Sequence, residues 1–199
     1  MASQTDIANR ALTKLGAARI TSITDSNKSA NVMAVLWDTV RRSELRRSFW
    51  SFAITRASLP MLSTAPAWGF AGAFQLPVDY LRLVQVNDTF LVPGADDYVT
   101  GNNSAYAIES GQILTDFSAP LKIRYVSDVT DTGLWDPLFD EVMATKLALE
   151  AVEQITDSNQ KKQILAQEYK DVMRIAVQAG AIERPPESIP DDSWISRRL

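Results

Sequence analysis

GAFQLPVDYLRLVQVN, residues 72–87, decides how this chain folds. Leu81, Leu83, Val84 and Val86 crowd together, and the run predicts a β-strand over 79–86. Pro77 and Asp79 stand just before that run, and helical patterns flank the region on both sides. The segment therefore implies β structure held inside a mostly helical chain.

Outward from it, the texture is constant from Trp50 to about Val129. Pro and Gly recur (Pro60, Pro66, Gly69, Gly72, Pro93, Gly94, Gly101, Gly111, Pro120), with short apolar runs between them. Further strands are expected at SFAITRAS (51–58), YAIES (106–110), GQILTDF (111–117) and LKIRYVSD (121–128). The third and second from last of these runs form a hairpin that turns at Ser110-Gly111. Leu121, Ile123 and Tyr125 alternate with Lys122 and Arg124, which gives one buried and one wet face. The region reads as a small antiparallel sandwich or partial barrel.

Helices bracket it. The first is predicted over Thr5–Leu15, with Ile7, Ala11, Leu12 and Leu15 on one face and Gly16 at its C-terminus. The second spans about Ser29–Phe49, approached by Asp25 or Ser26 as caps, with Met33, Leu36, Trp37, Val40 and Phe49 on its apolar side. The third opens at Asp136-Pro137, a cap followed by the residue best suited to a first helical position. The fourth runs from about Asn159 to Ala179 and ends at Gly180, with Leu165, Tyr169, Val172, Met173 and Ala176 as its stripe. The fold class expected is α+β, mainly helical. Residues 1–50 and 130–180 form a four-helix body, 51–129 an inserted small antiparallel β domain, and 181–199 an extended C-terminal arm. Pro185, Pro186 and Pro190 keep that arm from being helical throughout, yet it carries Ile189, Trp194 and Ile195.

Composition narrows the chemistry. The 199 residues include no Cys and no His. Disulfides, structural zinc of the usual kind, Cys nucleophiles and His-based triads are thereby excluded. No apolar run reaches the ~18 residues of a membrane helix, and MASQTDIANR lacks a secretory pattern, so the chain is expected to stay in the cytoplasm where it is made. Net charge is −4, but residues 1–57 hold nine basic and four acidic residues (+5) and the rest eleven and twenty (−9). Opposite-signed ends suit head-to-tail association of copies; solvated faces that happen to differ are the plainer explanation.

Few motifs carry chemistry. GFAG (69–72) lacks the spacing of a phosphate loop, and DDYVTGNNS (96–104) lacks the alternating acids and closing Glu of a calcium hand. Glu109 and Asp116 face each other across the predicted hairpin and form the one carboxylate pair worth weighing for glycoside hydrolysis. Arg41, Arg42, Arg46 and Arg47 cluster late in the second helix. A protein interface, a solvated helix end or a phosphate-binding patch would each use them, and the acidic balance of the chain disfavours nucleic acid. Ile189, Trp194, Arg197 and Arg198 are the interface candidates in the arm. No metal or cofactor is expected.

The order IANRALTKLG, RRSELRRSFWSFAITRASL, FQLPVDYLRLVQV, LWDPLFDEVMATKLALEAV and QEYKDVMRIAVQ resembles the tail tubular protein A family, the head-to-tail adaptors of short-tailed bacteriophages. The resemblance runs from about Asp6 to Gly180, and FWSFAITRASL and FQLPVDYLRL carry it most strongly. It implies a helical body bearing a β domain, with copies forming a ring, a dodecamer, between the portal protein and the tail nozzle (tubular protein B). Genomic DNA would pass through the lumen only in transit, no membrane would be involved, and the protein would not be an enzyme. The location implied is the virion tail at the head–tail junction, after assembly in the host cytoplasm. On this view Pro77 holds the chain extended at a strand entrance, and Trp194, Arg197 and Arg198 suit docking onto a partner. A tail-associated hydrolase acting on envelope carbohydrate through Glu109 and Asp116 is the alternative.

Overall fold

The computed structural model describes residues 2–87, 89–90 and 106–182. It is α+β. The order is α1 (Gln4–Leu15), α2 (Lys28–Arg47), β1 (Ile54–Leu59), β2 (Gly72–Gln75), β3 (Tyr80–Val86), β4 (Thr89–Phe90), β5 (Tyr106–Glu109), β6 (Gln112–Thr115), β7 (Leu121–Ser127), α3 (Pro137–Ile155) and α4 (Asn159–Ile182). All strand pairs are antiparallel. They make a four-stranded sheet, β1-β7-β3-β4, and a three-stranded sheet, β2-β6-β5.

The stretch at 72–87 contains two strands, one in each sheet. Gly72–Gln75 pairs with β6 of the three-stranded sheet, and Tyr80–Val86 pairs with β7 of the four-stranded one. The LPVD between them is where the chain changes sheet. The Pro77 carbonyl accepts a hydrogen bond from Tyr80 N–H at 3.1 Å, so Pro77 opens a turn that leads directly into β3. The Asp79 carboxylate accepts from the Tyr125 hydroxyl at 3.0 Å and its carbonyl from Asp128 N–H at 2.8 Å, which fixes the start of β3 against β7.

The crowding of apolar residues in β3 has a geometric cause. Register shifts against β7 fall between Tyr80 and Arg82 and between Leu83 and Gln85. Such irregularities break the strict two-residue alternation of a strand. Leu81 and Val84 then join the core formed with the helices, while Leu83 and Val86 join a second core between the sheets. In β7 the alternation is regular: Val126 faces the helices, and Leu121, Ile123 and Tyr125 face the second core with Phe74 and Ile113. The four-stranded sheet is thus a wall shared by two cores.

On the helical side α3 is central, touching α1, α2 and α4. It is buried around most of its girth, from Phe139 to Val152, as expected of a helix with apolar residues on all sides. Phe139 is the hub of an aromatic corner: its ring lies 4.8 Å from Trp50, 5.1 Å from Phe52 and 4.9 Å from Trp135.

Several boundaries move from those expected. Asn27, not Asp25 or Ser26, caps α2, accepting from Ala30 N–H at 2.9 Å. The Asp25 carboxylate is already occupied by Thr21 and Ser22 N–H. α2 stops at Arg47, so Phe49 lies beyond it, and Ser51–Ala53 is a 3-10 turn that delays β1 to Ile54. β2 escapes sequence reading because GAFQ is short and opens on Gly. α4 runs through Gly180 to Ile182, so Ala181 and Ile182 belong to the helix, not to the arm. Gly180 has no left-handed φ, and a helical Gly costs only ~1 kcal/mol relative to Ala. The Asp136–Pro137 start and the Gly16 cap stand as expected, Gly16 with φ 70°.

Candidate functional site: the arginine seam and the outer face of α4

The four arginines of α2 have different fates. Arg41 is buried, and its guanidinium spans two carboxylates: Nε to Asp128 at 2.9 Å, a second nitrogen to Asp128 at 3.2 Å, and a third to Asp38 at 2.5 Å. Burial works against its charge, but Asp128 and Asp38 outweigh burial and hold the proton more firmly than usual. Arg42, 61 % exposed, reaches the same Asp128 at 3.6 Å. Arg46 donates to the Leu81 carbonyl of β3. Arg47 donates to the Tyr169 hydroxyl of α4 at 3.1 Å and lies 5.5 Å from the centre of its ring.

These contacts form a seam. Arg41 ties α2 to the segment after β7, Arg46 ties it to β3, and Arg47 ties it to α4. From β3, Arg82 answers by donating to the carbonyls of Arg46 and Arg47 at 3.4 and 3.3 Å, and it stacks 4.4 Å from the Phe49 ring. A cation at the last carbonyls of a helix suits the macrodipole. Behind the seam, Tyr169 donates to the buried Glu44 at 2.7 Å, and the Glu44 carbonyl accepts from the Trp50 indole at 2.9 Å. Burial first, and then Glu44, push the Tyr169 hydroxyl far above its ordinary pKa, so it stays a donor.

Two further lysines, Lys14 of α1 and Lys161 of α4, also find partners within the chain. Lys14 bridges Glu141 at 2.6 Å and Glu168 at 2.5 Å, and Lys161 donates to the Leu15 carbonyl at 2.6 Å. Part of the charge asymmetry between the chain ends is therefore neutralised internally.

The carboxylate pair expected in the hairpin is not brought together. The hairpin forms with its turn at Ser110-Gly111, but Glu109 is opposite Gln112, and Asp116 lies past the far end where Tyr106 meets Thr115. The offset of about three to four residues is roughly 12 Å along the strands, wider than the ~5–9.5 Å a glycosidase pair uses. Asp116 accepts from Ala71 N–H at 2.8 Å. Among the described residues no cluster of three or more Asp or Glu could hold a metal ion. The loop 96–104 and the arm residues Ile189, Trp194, Arg197 and Arg198 lie outside the described residues.

Two features escaped sequence reasoning. On α4, Ile164, Ile175 and Ile182 are 59 %, 52 % and 85 % exposed. Their spacings of eleven and seven residues place them on one stripe, apart from the buried Leu165, Tyr169, Met173 and Ala176. That spacing was available in the sequence. The second feature is Asp140, in the first turn of α3. It is buried beside an open cavity of about 560 Å³ that is also lined by Asp6, Asn9, Arg10 and Arg19, and its Oδ1 has no hydrogen-bond partner among the described residues. Burial, aided by Asp136, pushes its carboxyl up to about 6 against the opposing pull of Arg10.

The chain matches no protein-family model and no curated protein. No helix among the described residues is long and apolar enough to cross a membrane.

Proposed function

We propose that this chain is a head-to-tail adaptor of the tail tubular protein A type. Its copies form a ring, twelve in number, that joins the portal protein to the tail nozzle and frames part of the DNA channel. It acts in the virion at the head–tail junction, after assembly in the host cytoplasm, and without enzymatic activity. In this reading α1–α4 are a four-helix body and the strands are a domain inserted between α2 and α3, its four-stranded sheet packed against the helices.

The observation that carries the reading is the outer stripe of α4. Ile164, Ile175 and Ile182 stand exposed along one face of the helix, between Glu168, Asp171 and Gln178, and such a mixed face suits packing beside a neighbour. The two stretches on which the resemblance rests also have a shared role. FWSFAITRASL supplies the aromatic corner and β1, and FQLPVDYLRL supplies the crossing between sheets. Both contribute residues that join the helices to the strands, which supports an architectural role.

The test is to mix the purified chain with the portal ring from the same genome and examine the product by co-sedimentation and negative-stain electron microscopy. A second ring stacked on the portal supports the adaptor; a chain that stays unbound beside a portal competent for its other partners overturns it.

A further inference from the structure

A groove of about 380 Å³ opens where α4 ends. One wall is the last turns of α4, including Ala176, Val177 and Ala181; the other is the aromatic corner, with Phe49 and Phe52, and Leu138 of α3. Trp50 forms part of the lining, but its indole N–H is already committed to the Glu44 carbonyl, so it offers an apolar face only. Val177 is 40 % exposed in this groove, and a Cβ placed on Gly180 would meet nothing within 4 Å. The groove is thus mostly apolar, open to solvent and large enough for a bicyclic side chain.

We infer that the groove is the seat of the chain's own residues 183–199, with Trp194 as the anchoring side chain. Three facts select this occupant. The helix delivers the chain to the rim: Ala181 lines the groove and Ile182 is the next residue. Trp194 lies twelve residues beyond Ile182, a reach of up to about 40 Å, so the indole can return to a site at the start of its own tether. The segment's chemistry also fits. Pro185, Pro186 and Pro190 lack N–H groups that would need partners, and proline-rich segments dock in aromatic-lined grooves. A tether this short holds its anchor at an effective concentration on the order of millimolar, which favours the segment of the same chain over that of another copy. This inference does not depend on the adaptor reading.

The test uses the full chain labelled with 5-fluorotryptophan. Its five tryptophans give five fluorine resonances, and the one missing from Trp194→Phe belongs to Trp194. The expected result is a Trp194 shift well away from its position in urea and unchanged by dilution. Ala179→Glu, which puts a charge in the groove, should return that shift to the urea position while Trp37 and Trp135 hold theirs; Val177→Glu is the second variant should the first not fold. Three outcomes overturn the inference: a Trp194 shift already at its urea position in the unaltered chain, a shift indifferent to both groove variants, or a shift that disperses on dilution as a dimer dissociates.

Discussion

Arg41 and Arg42 are neighbours in sequence and share Asp128, yet their worth differs. Arg41 is 8 % exposed and holds two carboxylates; Arg42 is 61 % exposed and holds the edge of one. Removing a fully buried partner can cost about 3–5 kcal/mol and an exposed pair contributes ~0–1 kcal/mol; Arg41 falls between, because Asp38 is 75 % exposed and Asp128 keeps Arg42. Arg41→Ala should therefore lower unfolding free energy by about 1–3 kcal/mol and Arg42→Ala by under about 0.5 kcal/mol, read from urea melts. Asp140 gives a signed pH effect. Its folded pKa of about 6 exceeds the 3.8 of the free side chain. The native state therefore binds the extra proton between these values, and the unaltered chain gains stability as pH falls from about 6 to 4. Above 6 the cost of the buried charge is complete. Asp140→Asn should be more stable than the parent by about 1–3 kcal/mol at pH 7, and the advantage should vanish near pH 4 in parallel melts. Of these residues the sequence displayed the cluster but not its meaning, because the partner that distinguishes Arg41 is 87 positions away.

Among the elements, those with strong local rules were legible. The alternation in LKIRYVS and the cap in WDP needed no tertiary information, and both stand in the structure. The turn at Ser110-Gly111 also follows a local rule: both residues have positive φ, 48° and 76°, as a two-residue hairpin of the favoured hand requires. Asn tolerates that conformation better than Ser. Ser110→Asn should raise the melting free energy by about 0.5 kcal/mol, and Gly111→Val should lower it by at least about 1 kcal/mol, both by thermal denaturation. β2 was illegible because its identity comes from pairing with β6, not from its own four residues. Gly180 misled because glycine's preference for helix ends is only a preference, and nothing there requires the turn.

At the scale of the molecule, the outer stripe of α4 is the feature most exposed to experiment. Ile164→Lys and Ile175→Lys alter surfaces that touch no core in the single chain. Each should leave the unfolding free energy nearly unchanged, within about 0.5 kcal/mol, and the proposed adaptor role predicts weaker self-association by sedimentation. A loss of ring formation matched by loss of fold would assign the stripe to stability instead. The opposite-signed ends were visible in composition, but their partial cancellation through Lys14, Glu141 and Glu168 was not, since it depends on which helices meet.

The register shifts in β3 bear on how such a chain can be cut and recombined. Leu83 and Val84 are consecutive, yet they belong to different cores. The frontier between the helical and strand-built halves passes through the thickness of one strand rather than through a linker. Excising the strands would strip Leu81, Val84 and Val126 from beneath the helices, and transplanting them would carry away a surface made to be covered. A shuffling event that treated the strands as a cassette would therefore fail at both ends, and viable chimaeras must exchange β3 and β7 together with the helix faces that rest on them.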